Sequence, residues 1–134
     1  MIRGSCLCKR VRLEIHGKLA NASHCYCSMC RKEHGAAFGT YAEVRADNFR
    51  IVAGEELILR YRSSPGVERT FCSRCGSTLQ FISQKNPGMA EIALGVLDDD
   101  PGIRVSRHIF VASKAPWVEI TDDLPQYAES SPKP

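Results

Sequence analysis

Seven cysteines in three close groups carry the chemistry of this chain: Cys6-Leu7-Cys8, Cys25-Tyr26-Cys27-Ser28-Met29-Cys30 and Cys72-Ser73-Arg74-Cys75. Thiolate sulfur is a soft donor that suits Zn²⁺, and cysteines two or three residues apart can reach one ion from a single turn. Four such ligands close a tetrahedral site, whereas three leave one position for a substrate atom. Seven sulfurs therefore read as four plus three, that is, two zincs per chain, one sealed and structural, the other open. Disulfides are the rival reading. An odd count, and pairs too close in sequence to staple a long loop, argue against them.

Cys72-x-x-Cys75 with Gly76 behind it has the form of a zinc knuckle, the glycine permitting a positive φ after the turn. Cys6-x-Cys8 is a tighter pair. Cys25, Cys27 and Cys30 lie within six residues and can converge on one ion. A zinc held by three thiolates keeps net negative charge and is a weak Lewis acid. It holds an incoming thiolate better than it activates water, which favours sulfur chemistry over hydrolysis. Around this triplet, Arg31 and Lys32 offer cations to the carboxylates of an anionic thiol, with a solvated surface turn as the plainer reading. His34 has two functional readings, a fourth ligand or a general base, beside that of a surface histidine. His24 adjoins the first ligand. His16 and His108 lie far from the cluster in sequence and receive no role.

The elements that must hold these residues are short. Lys9–His16 alternates Val11, Leu13 and Ile15 against Arg10, Arg12 and Glu14, the period of a half-buried strand. Ala20–His24 leads as a strand into the triplet. Ser28 is a candidate cap for a helical turn over Met29–His34, with Gly35 as its stop. Ala37–Val44 has strand character. Phe49–Val52 and Leu57–Tyr61 read as a hairpin around residues 53–56, and Ser63-Ser64-Pro65-Gly66 as a loop. Val67–Phe71 and Thr78–Ile82 flank the last cysteine pair. Ala90–Leu97 is a further strand, Asp98–Gly102 a break, and Arg107–Val111 a short apolar segment. Such spacing predicts a mostly β fold of short antiparallel strands. The domain is expected over residues 1–124, with 125–134 a flexible C-terminal tail.

With 134 residues, 43% hydrophobic and 25% charged, the chain has the size and composition of one globular domain. No apolar run of membrane-spanning length or export signal is present, so a cytoplasmic location, where thiols stay reduced, is expected. The formal charge of +3 hints at nucleic acid. Seven thiolates and two Zn²⁺ would bring it to neutrality, so only the scattered Arg3, Arg10, Arg12, Arg45, Arg50, Arg60 and Arg62 remain for that reading.

Three stretches together resemble the glutathione-dependent formaldehyde-activating enzymes, a family that includes the centromere protein V group. Gly4-Ser5-Cys6-Leu7-Cys8 resembles the family's opening, His24–Lys32 with Gly35 its central signature, and Phe71–Ser77 its third. Gly95-Val96-Leu97-Asp98 and Ser113–Trp117 are similar to its downstream segments. The resemblance implies an all-β, Mss4-like zinc-binding fold. It implies a structural zinc on Cys6, Cys8, Cys72 and Cys75, and an active-site zinc on Cys25, Cys27 and Cys30. It also implies a carbon–sulfur lyase that joins glutathione and formaldehyde into S-hydroxymethylglutathione and breaks the same bond in reverse. The alternative is a non-catalytic zinc module or a thiol-based metal or redox sensor, since exposed thiolates are what an oxidant attacks.

Overall fold

The period-two alternation near the N-terminus builds the first layer. In the computed structural model, which describes residues 1–132, Val11, Leu13 and Ile15 are buried while Arg10 and Arg12 face solvent. Strand β2 (Arg12–Ile15) is the centre of a three-stranded antiparallel sheet, flanked by β1 (Ile2–Ser5) and β5 (Phe49–Ala53). The sequence reading missed β1, because Arg-Gly-Ser carries no apolar alternation. Its place is set by distant partners instead. Arg3 donates from its main-chain N and from Nε to Asp99, and Ser5 Oγ donates to Asp98.

A seven-stranded sheet forms the second layer. In spatial order its strands are β10 (Arg107–Ile109), β3 (Ala20–Cys25), β4 (Gly39–Arg45), β9 (Met89–Ala93), β8 (Thr78–Ser83), β7 (Val67–Cys72) and β6 (Ile58–Ser64). Every neighbouring pair is antiparallel except β10 with β3. The fold is thus mostly β, as expected. β4 is buried along most of its length, and its two faces serve different ends. Ala42 and Val44 pack with Leu13, Ile15, Ala90 and Ile92 in the core between the sheets. Tyr41, on the opposite face, packs against Cys25, Cys30 and Ala93.

The expected hairpin of residues 49–61 does not form. β5 pairs with β2, and β6 pairs with β7, so the two segments belong to different sheets. Their apolar residues are claimed by different clusters: Phe49 and Ile51 by the inter-sheet core, Leu57 and Ile58 by the cluster around Cys6 and Cys72. A 3₁₀ turn, Glu55–Leu57, carries the chain across. The hairpin lies one step later, where Pro65-Gly66 joins β6 to β7 with Ser64 opposite Val67. β9 also ends earlier than expected, in a 3₁₀ turn at Leu94–Val96.

The C-terminal segment departs from the expected loose tail. His108 donates its main-chain N–H to Pro125 O and accepts at its O from Tyr127 N, and Phe110 donates to Glu129 O. β10 uses its free edge this way, so residues 125–129 act as a further extended segment beside it. Residues 133–134 of the expected tail lie outside the described residues. Among the described residues, no helix is long and apolar enough to cross a membrane.

Candidate functional site

The turn after β1 and the turn after β7 meet at four sulfurs. Cys6, Cys8, Cys72 and Cys75 place their Sγ atoms within 4.8 Å of one another. Cys6 and Cys72 are buried, and the other two are half-buried. A main-chain donor reaches from the first loop to the second, and others tighten each loop on itself. Val11 N donates to Cys6 Sγ at 3.3 Å, Leu7 N donates to Ser77 Oγ at 2.9 Å, and Gly76 N donates to Cys72 O at 2.7 Å. Gly76 sits at φ 79°, the left-handed conformation the knuckle turn requires. Cys8 and Cys72 are 64 positions apart, so whatever the sulfurs share ties the N-terminus to the middle of the chain.

The second group stands where β3 runs into the helix α1 (Ser28–His34). The Sγ atoms of Cys25, Cys27 and Cys30 also lie within 4.8 Å of one another, and no histidine nitrogen belongs to that set among the described residues. Cys25 closes the strand, Cys30 sits one turn into the helix, and Cys27 caps it. The Cys27 Sγ accepts from Cys30 N at 3.3 Å, so the expected cap, Ser28, is the first helical residue instead. A thiolate sulfur between strand and helix satisfies an orphan helical N–H as a serine oxygen would. Without a cation among them the three sulfurs cannot all ionise. Hydrogen bonds from Cys25 and Cys30 hold Cys27 well below the thiol range, while the bonds of Cys25 with Cys27 and Cys30 push the Cys25 thiol far up. Both sulfur clusters therefore fit a soft divalent cation.

Unlike a sealed knuckle, the triplet opens onto a cavity of about 280 Å³, walled by Met29, Tyr41, Arg69, Phe81, Ile109 and Phe110. Arg69 reaches it from β7. Its Nη1 donates to Cys30 Sγ at 3.5 Å and to Glu33 Oε1 at 2.5 Å, its Nε donates to Ser63 Oγ at 3.0 Å, and its guanidinium lies 5.0 Å from the Phe81 ring centroid. Tyr41 Oη donates to Glu33 Oε1 at 2.8 Å. With that hydroxyl proton committed, the 2.8 Å contact to His34 requires Nε2–H of the imidazole to donate to Tyr41 Oη. Gly39 makes room for this, since a Cβ there would stand 2.6 Å from His34 Nε2. Burial lowers the His34 pKa, and burial with the nearby Glu33 carboxylate keeps the Tyr41 phenol protonated.

A second chain of hydrogen bonds holds the triplet from behind. Asp122 can only accept, so His108 Nε2–H donates to it at 2.9 Å. Nδ1 is then the acceptor for Tyr26 Oη at 2.8 Å. Tyr26, between two of the clustered cysteines, and His108 are each only 2% exposed. His108, given no role from sequence, thus anchors the cysteine loop. His24 donates or accepts at Thr40 Oγ1, 2.7 Å from its Nδ1, and burial first, then the neighbouring His108, depresses its pKa to about 4.

The remaining expected site residues divide. Lys32 is exposed and borders a neighbouring cavity. Arg31 is half-buried, and its Nε donates to Tyr26 O at 3.4 Å. His34 belongs to the Tyr41–Glu33 chain. Arg69, Glu33 and Tyr41 were not found from sequence. One signal was present: in β7, Arg69 alternates onto the same face as Val67 and Phe71, an unexplained charge on an apolar strand face. Among the scattered arginines, Arg3, Arg45 and Arg60 pair with Asp99, Asp47 and Glu68, which breaks up the basic character a nucleic acid would need.

Comparison with known proteins places the chain in a family. Over residues 1–113 the chain matches the family described as glutathione-dependent formaldehyde-activating enzyme. It is 36% identical over 135 residues to a Halomonas elongata protein whose name places it among these enzymes, covering 90% of this chain and 81% of that one. It is 34% identical over 86 residues to an uncharacterized lyase of Schizosaccharomyces pombe, covering 63% of this chain and 61% of that one. The solved structure of a Rhodobacter sphaeroides protein superposes with a TM-score of 0.62 at 26% identity, over 76% of this chain and 90% of that one. The sequence match across most of the chain, with all seven cysteines inside it, shows that this protein belongs to the glutathione-dependent formaldehyde-activating enzyme family.

Proposed function

We propose that the chain is a zinc-dependent carbon–sulfur lyase that makes and breaks the adduct of a thiol with a small aldehyde. Glutathione and formaldehyde are the pair its relatives' names suggest. Cys6, Cys8, Cys72 and Cys75 would hold a structural zinc, and Cys25, Cys27 and Cys30 a second one. In the three-sulfur site the metal would supply an acceptor position that favours the substrate's thiolate over its thiol.

The observation that carries this reading is the three-sulfur cluster lining a cavity with a buried guanidinium beside it. Arg69 presents fixed positive charge where a thiolate arrives and where an aldehyde oxygen gains charge during attack. Glu33, Tyr41 and His34 hold that guanidinium in place through consecutive hydrogen bonds. Phe81, Ile109 and Phe110 keep the cavity apolar, which strengthens Arg69's interactions there. Lys32 stands exposed on the rim of the neighbouring chamber. Arg31 acts by bracing the cysteine loop through Tyr26 O.

The test is exchange NMR of ¹³C-formaldehyde with glutathione, with and without the zinc-loaded protein. Faster exchange is expected, and none would retire the named reaction. Metal analysis should find two zincs per chain, the three-sulfur one removed first by a chelator.

A further inference from the structure

The cavity over the three sulfurs does not end at its own walls. Met29 and Arg69 also line a larger chamber of about 470 Å³, whose other walls include Lys32, Tyr61, Ser63 and Phe71. On the opposite side, Ser23, Phe81, Glu91 and Ile109 are shared with a chamber of about 330 Å³ that carries Asn21, Glu43, Lys85 and Arg107. The sulfur site is thus the middle of a cleft with two unlike wings. The wing of Asn21, Glu43, Lys85 and Arg107, with no aromatic ring beyond the shared Phe81, suits a zwitterionic thiol carrier. The other also carries Lys32 and Glu33, but it adds the aromatic and thioether surface of Tyr61, Phe71 and Met29, and leaves Tyr61 64% and Met29 44% exposed, large apolar surface that the core does not use. Formaldehyde has no carbon beyond its carbonyl and would leave this wing to water.

We propose that the apolar wing holds the substituent of the aldehyde half of the adduct. The substrate class then extends to thiol adducts of aldehydes bearing an aromatic or several-carbon aliphatic group. This rests on the thiol-adduct reading above. The step is the same addition. The thiol sulfur bonds to the carbonyl carbon, the C=O π pair moves to oxygen, and the thiol proton ends on that oxygen. Reversal returns both reactants, with no change of oxidation state.

Stable thioethers test the proposal apart from turnover. Isothermal titration of the zinc-loaded protein would compare S-methylglutathione with S-hexylglutathione. A buried methylene tightens binding about fourfold, and with the wing partly open the hexyl compound should bind at least about tenfold more tightly. Tyr61→Ser, at an exposed position that does not threaten folding, should cut the hexyl-to-methyl ratio severalfold. Equal affinities for the two thioethers, or a ratio unmoved by Tyr61→Ser, would overturn the proposal while leaving the thiol-adduct reading standing. If neither thioether binds at millimolar concentration, the thiol-adduct reading falls and takes this proposal with it.

Discussion

Glu33→Gln puts the electrostatics of the site to its hardest test. Arg69 and Glu33 are 7% and 14% exposed and meet at 2.5 Å. Removing one partner of such a pair typically costs about 3–5 kcal/mol, because the other charge stays buried without compensation. Here the figure is reduced at both ends. The substituted amide would still accept from Arg69 and Tyr41, and Cys30 Sγ stands 3.5 Å from the same Nη1. A loss of about 2–3 kcal/mol is therefore expected. Arg69→Met should cost more, because it leaves the Glu33 carboxylate buried beside the sulfurs. The double variant should recover part of the loss, with a coupling of at least about 1.5 kcal/mol. Urea denaturation of the four proteins at constant zinc, read as midpoint and slope, measures the cycle. Additivity within about 0.5 kcal/mol would refute the claim that these residues act as one buried unit.

Cys72→Ser should halve the bound zinc and lower stability by about 4 kcal/mol, the loop-closure value for a cross-link spanning 64 residues, read by metal analysis and denaturation. Tyr26→Phe leaves His108 Nδ1 without its donor, and should weaken metal at the three-sulfur site about tenfold in chelator competition, the quartet being unaffected. The pH dependence of stability should carry the mark of His34. Its folded pKa lies below its unfolded value, so the unfolded chain binds more protons and stability falls as pH drops through about 6.5. His34→Gln, still able to donate to Tyr41, should lessen that fall between about pH 7 and pH 5, with buried His24 keeping its own share, and an unchanged slope would contradict a buried neutral imidazole.

What was legible in the sequence was local. Cysteines two and three positions apart must share a turn, so the three cysteine groups could be read without a fold, as could the β2 alternation and the stop of α1 at Gly35, while the joining of Cys6 and Cys8 with Cys72 and Cys75 came from the family resemblance. Segments whose partners lie far along the chain were not legible. β5 and β6 look like a hairpin because both are short and apolar, and only the competition between two layers for Phe49 and Ile58 separates them. The segment after Asp122 reads as a tail by composition, yet Asp122 accepts a hydrogen bond from His108 Nε2–H and residues 125–129 pair with β10. The chain's own pattern determined which atoms can bind a metal and roughly where they lie. Tertiary structure alone decided that one sulfur group opens onto a cavity, and that Arg69, 36 positions from Glu33 and 39 from Cys30, supplies its charge. Ligand spacing is set by a few backbone torsions, whereas a buried ion pair exists only once remote strands have excluded water around it.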